Sequence, residues 1–223
     1  MIEFPEKVSK DIGSCFKEIV SEAIDDWLRR VEPIVEIATD RGWFIFDPFM
    51  VSFVFLASGK FLLSESEVDP QAVVNLLERV ARLKYVNDFN IEQMRETWNQ
   101  NAWSKERWPV FMEAIECYKT GWYFASVSTS VPLVEGVLTR GNGLQDATHG
   151  QLKDFARKLD ETGNLGKIVD RFFARYKDVK TLSERLLNRN VVAHSFEVDF
   201  GTKVRALQAI SLVNTLVWAY NGS

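Results

Sequence analysis

The sequence predicts an all-α protein, an antiparallel helical bundle with an additional helical region before it. Three observations predict that class. Apolar residues recur at steps of three and four along nearly every segment, the spacing that lays a stripe down one side of a helix. No stretch alternates apolar and polar residues between turn signals, as a half-buried strand would. Glycine and proline are scarce, 12 and 6 among 223 residues, and the chain holds no low-complexity tract or internal repeat. Short connections make sequential helices antiparallel neighbours.

The elements follow in order. Ile12, Phe16, Ile19, Ala23, Trp27 and Val31 mark a long amphipathic helix ending near Pro33. "RGWFIFDPFM" reads as a loop, and "PFMVSFVFLASG" as a buried helix, because about 12 apolar residues are too few to span a bilayer. Asp69-Pro70 supplies an N-cap and a first-turn proline for a helix running to about Val86. Asn90 with Gln93 predicts a further cap.

A helical hairpin follows. One arm carries Val110, Ala114 and Cys117, the other Phe124, Val127, Val131, Val134 and Leu138, and Gly141-Asn142-Gly143 ends it. Thr148 and Gln151 form a capping box before "LKDFARKLDE", and a short helix spans "GKIVDRFFARY". A closing helix, "KVRALQAISLVNTLVWAY", places Leu207, Ile210, Val213 or Asn214, and Val217 on one face. The expected organisation is an N-terminal helical region, 1–103, and a helical bundle, 104–223. Tryptophans and phenylalanines at helical spacing, among them Trp98, Trp108 and Trp122, read as core.

With 46% hydrophobic residues, a chain of this length buries roughly 70–75% of its unfolded surface and needs no staples. Cys15 and Cys117 stand alone, without metal-ligand spacing, which fits a reducing compartment and speaks against structural zinc. The first residues, "MIEFPEKVSKDIG", carry no apolar signal core, so a cytoplasmic protein without membrane association is expected. The net charge of −4 is uneven: residues 1–100 are net −7 and 101–223 net +3. Ten basic and six acidic residues lie within 153–189. A phosphate-bearing partner therefore favours the second half, although a solvated helix face explains the same charges.

The densest polar chemistry lies in "ERLLNRNVVAHSFEVDFGT", residues 184–202. Asn190 and His194 are one turn apart on a helix, and Arg189 is long enough to reach the same side. Val191 and Val192 face the interior. Arginine offers a planar fork for phosphate oxygens, and an imidazole exchanges protons near neutral pH. Asparagine fixes a histidine tautomer or donates to phosphate. No carboxylate cluster accompanies them, so neither a metal nor another cofactor is demanded. This chemistry suits RNA cleavage by the substrate's own 2′-hydroxyl, and a two-fold dimer would supply the two proton-transfer groups it wants. Arg185 and Asn188 are weaker candidates for substrate contact. His149, next to the cap residue Thr148, reads as a surface residue.

"RNVVAHS" matches the R-x-x-x-x-H signature, with a polar residue after the arginine, of the HEPN (higher eukaryotes and prokaryotes nucleotide-binding) superfamily. "RWPVFMEAIECYKTGWYFASVSTSVPLVEGVL" resembles the paired helices that precede the motif in abortive-infection-like bacterial members, and "FGTKVRALQAISLVNTLVW" resembles the helix that follows it. "RGWFI" is similar to their N-terminal region. The resemblance covers residues 105–220 well and the first hundred loosely. It implies an antiparallel bundle that dimerises through the motif face, and metal-independent endoribonuclease activity in phage defence or toxin–antitoxin pairs. Arg189 and His194 would be catalytic, Asn190 the accompanying polar residue, and Glu135 an acidic residue facing the motif. Ser195 follows the histidine where related chains often carry glycine. The expected partners are an RNA substrate, a second copy of the chain, and an antitoxin or defence partner. The alternative is a HEPN-like module that binds RNA, a nucleotide or a protein without cleaving. A third reading is an architectural helical domain.

Overall fold

The computed structural model describes residues 32–43, 69–141, 148–159, 164–174, 187–194 and 200–222. The long first helix, most of the "RGWFIFDPFM" loop and the "PFMVSFVFLASG" helix lie outside them. Among the described residues every regular element is a helix, and none is long and apolar enough to cross a membrane. The helices are α1 (32–40), α2 (Pro70–Val86), α3 (Asp88–Trp98), α4 (Ala102–Lys119) and α5 (Tyr123–Gly141). After these come α6 (His149–Leu159), α7 (Asn164–Phe172), α8 (Arg189–His194) and α9 (Lys203–Gly222).

Local signals set most boundaries. Asp69 accepts from the amides of Gln71 and Ala72 at 2.9 and 3.2 Å, with Pro70 in the first turn. Thr148 and Gln151 form the reciprocal box, Gln151 Oε1 accepting from Thr148 N at 2.9 Å and Thr148 Oγ1 from Gln151 N at 3.4 Å. The α3 cap is Asn87, not Asn90: Asn87 is extended, and its side chain accepts from Phe89 N at 3.0 Å. Asn90 is already helical, and its amide reaches back to the Leu83 carbonyl in the last turn of α2.

The hairpin of α4 and α5 turns at Gly121, whose φ of +85° is the left-handed geometry glycine adopts without strain. Its first arm buries Phe111, Ala114, Ile115 and Tyr118, so the apolar stripe is rotated from the expected one and Val110 is exposed. In α5 the expected Val127, Val131, Val134 and Leu138 are buried, whereas Phe124 is half-exposed. Trp98 is core as expected, and Trp108 is partly buried against it. Trp98 stacks on Phe111 with centroids 4.4 Å apart, and Trp108 meets its edge at 5.6 Å. Trp122, just past the turn, is 70% exposed and is not core.

One contiguous core runs from Ile34 to Val217, shared by helices on both sides of residue 103. Its axis is α9, packed chiefly on α5 and also on α2, α3 and α4. Because neighbours surround it, α9 is buried around most of its circumference rather than along one face. Several of the polar residues this encloses find partners. Trp98 Nε1 donates to Asn214 Oδ1 at 3.1 Å, Tyr85 Oη to Ser211 Oγ at 3.3 Å, and Gln208 Nε2 to the Arg41 carbonyl at 2.7 Å.

Candidate functional site

The site is assembled where the end of α7, the short helix α8 and the middle of α5 meet. A helix ends with carbonyls that have no intrahelical donor, and begins with amides that have no acceptor. Asn188 serves both needs here. Its Oδ1 accepts from Val191 N at 3.0 Å as the N-cap of α8. Its Nδ2 donates to the carbonyls of Arg171 and Ala174, at 2.8 and 3.1 Å, closing the end of α7. Asn188 is only 3% exposed, which gives it a structural position rather than an open one. Val191 and Val192 are buried, so α8 sits with its apolar side on the core.

Asn190 adds a second grip on α7. Its Nδ2 donates to the Ala174 carbonyl at 2.9 Å and to that of Phe173 at 3.4 Å. Its Oδ1 accepts from Arg189 Nη1 at 3.3 Å. On its other side the Arg189 guanidinium donates from Nε to Glu135 Oε2, also at 3.3 Å. The two side chains of this ion pair keep 34% and 38% of their surface in solvent. A guanidinium has five N–H donors, and among the described residues two are engaged here, both at long distance. The group is thus held in place while retaining donors toward solvent.

The structure therefore brings together Arg189, Asn190 and Glu135 from the expected residues. His194 closes α8, one turn beyond Asn190, and its side chain lies outside the description. Arg185 and Ser195 lie outside the described residues, as does the side chain of His149. Within the basic segment 153–189, each described arginine meets a carboxylate: Arg157 with Asp154 at 3.8 Å, Arg171 with Asp40 at 2.8 Å, and Arg189 with Glu135.

Arg171 also donates from Nη1 to the Thr39 carbonyl at 2.7 Å, so it ties the end of α1 to the platform on which α8 rests. The sequence marks Arg171 only as one member of a basic run, since its partners are about 130 residues away. Among the described residues no three His, Cys, Asp or Glu side chains converge as metal ligands would. Compared with protein-family models, curated proteins and solved structures, the chain matches none.

Proposed function

We propose that this chain is a metal-independent endoribonuclease of the HEPN type, acting as a homodimer in phage defence or as a toxin. The observation that carries the reading is the setting of Arg189. It is a partly solvated guanidinium, oriented by Glu135 from α5 and by Asn190, five residues ahead of a histidine on the same short helix. In this reading one His194 takes the proton of a ribose 2′-hydroxyl. The 2′-oxygen bonds to the adjacent phosphorus, and the bond from phosphorus to the 5′-oxygen breaks. The partner subunit's His194, protonated, gives its proton to the departing 5′-oxygen. Arg189 holds the charge that gathers on the phosphoryl oxygens. The products are a 2′,3′-cyclic phosphate and a 5′-hydroxyl.

A second reading is favoured by the Glu135 carboxylate itself. It lies on Arg189 and cancels part of the charge a phosphate would meet, in a chain that is net −4. A HEPN-like module that binds RNA or a protein partner without cleaving suits that electrostatics.

End-labelled RNA incubated with the protein in EDTA separates the two. Cleavage to cyclic-phosphate ends, lost in Arg189→Ala and in His194→Ala, is the expected result. Intact RNA that is nonetheless retained by the protein rejects the nuclease in favour of the module.

A further inference from the structure

α1 ends in a turn that the core, α9 and α7 all hold. Gly42, with a φ of +76°, takes the left-handed position after the helix; its amide donates to the Thr39 carbonyl at 3.0 Å, and that of Trp43 to the Ala38 carbonyl at 2.8 Å. Trp43 is buried, and Gln208 Nε2 of α9 donates to the Arg41 carbonyl at 2.7 Å, so the turn has a fixed place. Arg171, near the end of α7, supplies the third hold. Its guanidinium fork reaches the Thr39 carbonyl from Nη1 at 2.7 Å and Asp40 Oδ1 from Nη2 at 2.8 Å. A cation is favoured there, because the last carbonyls of a helix carry its negative end.

The backbone of the same arginine holds α8. The Arg171 carbonyl accepts from Asn188 Nδ2 at 2.8 Å, and the Ala174 carbonyl accepts from Asn188 and Asn190 at 3.1 and 2.9 Å. Asn190 Oδ1 in turn accepts from Arg189 Nη1 at 3.3 Å. Each step from Asp40 to the Arg189 guanidinium is therefore a hydrogen bond of 3.3 Å or less, or runs within one residue. Arg189 is strung between two elements: α7, through Asn190, and α5, through Glu135 Oε2 at 3.3 Å. Both bonds are already long against the usual range of about 2.7–3.2 Å, so a shift of α7 relative to α5 by about half an ångström breaks one of them.

We propose that Arg171 is a positioning residue for the Arg189 guanidinium, and that the end of α1 is the contact through which the N-terminal region controls the site. With Thr39 and Asp40 in the fork, α7 stands where Asn190 meets Arg189. When α1 withdraws, the end of α7 shifts, the bond between Arg189 and Asn190 opens, and the guanidinium swings on Glu135 alone. Asp40 is 61% exposed, so the ion pair contributes little to stability and opens without unfolding the chain. The effect on cleavage rests on the ribonuclease reading; the effect on the orientation of Arg189 does not.

Two readouts on the full chain test it. One is the Nε–Hε signal of Arg189 in a nitrogen–proton correlation spectrum, assigned by its loss in Arg189→Lys; the other is kcat and KM for RNA cleavage. Arg171→Ala should move the signal, and Asp40→Ala should move it less, since Nη1 keeps the Thr39 carbonyl. Arg171→Lys, which restores a charged donor without the fork, should bring it part of the way back. In Arg171→Ala kcat should fall about tenfold with KM unchanged, as for a cation misplaced in the transition state. Arg95→Ala, which removes an exposed pair with Glu92 on α3, should change neither readout. The proposal is overturned if the signal stays native in folded Arg171→Ala or, should that variant fail to fold, in Asp40→Ala. A signal that moves as far in Arg95→Ala overturns it too. Movement specific to the Arg171 and Asp40 variants, in a chain that leaves RNA intact, rejects the ribonuclease reading and upholds the positioning role.

Discussion

Arg189 Nε donates to Glu135 Oε2 across 3.3 Å, joining the first turn of α8 to the middle of α5 over 54 residues of sequence. The contact fixes where the guanidinium points, and both partners remain one-third solvated. Such a pair contributes about 0–1 kcal/mol to stability, so its value lies in orientation. Glu135→Ala should therefore shift the melting temperature by no more than about 4 °C. The same change should lower RNA cleavage about tenfold by loosening the cation. Glu135→Gln distinguishes the two functional readings. Weaker cleavage fits the nuclease, whereas tighter RNA binding with no cleavage fits the module.

Asn188 makes a sharper structural prediction, because its two ends do different work. Asn188→Ala removes the α8 cap and the donor to two α7 carbonyls, which should cost about 2–3 kcal/mol in urea unfolding. Asn188→Asp keeps the cap but sets carboxylate oxygen against the carbonyls of Arg171 and Ala174. It should be at least as destabilising as alanine. If aspartate were tolerated, only the cap would matter and the grip on α7 would be incidental.

Trp98 and Asn214 form the buried polar contact that fixes α9 against α3. Asn214→Leu leaves the Trp98 indole N–H without an acceptor and should cost about 2 kcal/mol. Adding Trp98→Phe removes the orphaned donor. A double-mutant cycle on the two positions should then show coupling of about 1–2 kcal/mol. Additive losses would mean that the two residues act through packing alone.

Tyr118 links stability to alkaline pH. Burial, with Tyr123 and Glu78 adding and Arg82 opposing, pushes its hydroxyl up from 10.0 to about 12, and among the described residues that hydroxyl has no hydrogen-bond partner. The folded state thus holds the proton more tightly than the unfolded one. The contribution is fully present below pH 10 and is lost as pH rises from 10 to about 12, by roughly 2 kcal/mol. Unfolding measured across that window should fall more steeply for the native chain than for Tyr118→Phe. Parallel curves would contradict this account.

The chain's own residues determine the helical class, because the 3.6-residue period and the caps act within a few positions of one another. Asp69 with Pro70, and Thr148 with Gln151, start helices wherever the rest of the chain goes. The run from Arg189 to His194 was likewise legible as a candidate site. Tertiary packing decided what a local pattern leaves open. Val110 and Phe111 are adjacent and both apolar, and only the neighbours of α4 select Phe111 for the core. Asn87 and Asn90 both have a cap's chemistry, and the break after α2 gives the role to Asn87. Asn188 reads in the sequence as a weaker candidate for substrate contact, yet the carbonyls it closes belong to α7, 14 and 17 residues earlier. The tie from Arg171 to Thr39 and Asp40 had no trace in local spacing, since it forms only when α1 and α7, about 130 residues apart, pack together. Backbone periodicity is a short-range property that sequence encodes directly. The partner of a long polar side chain is set by whichever element folding brings within about 3 Å of it.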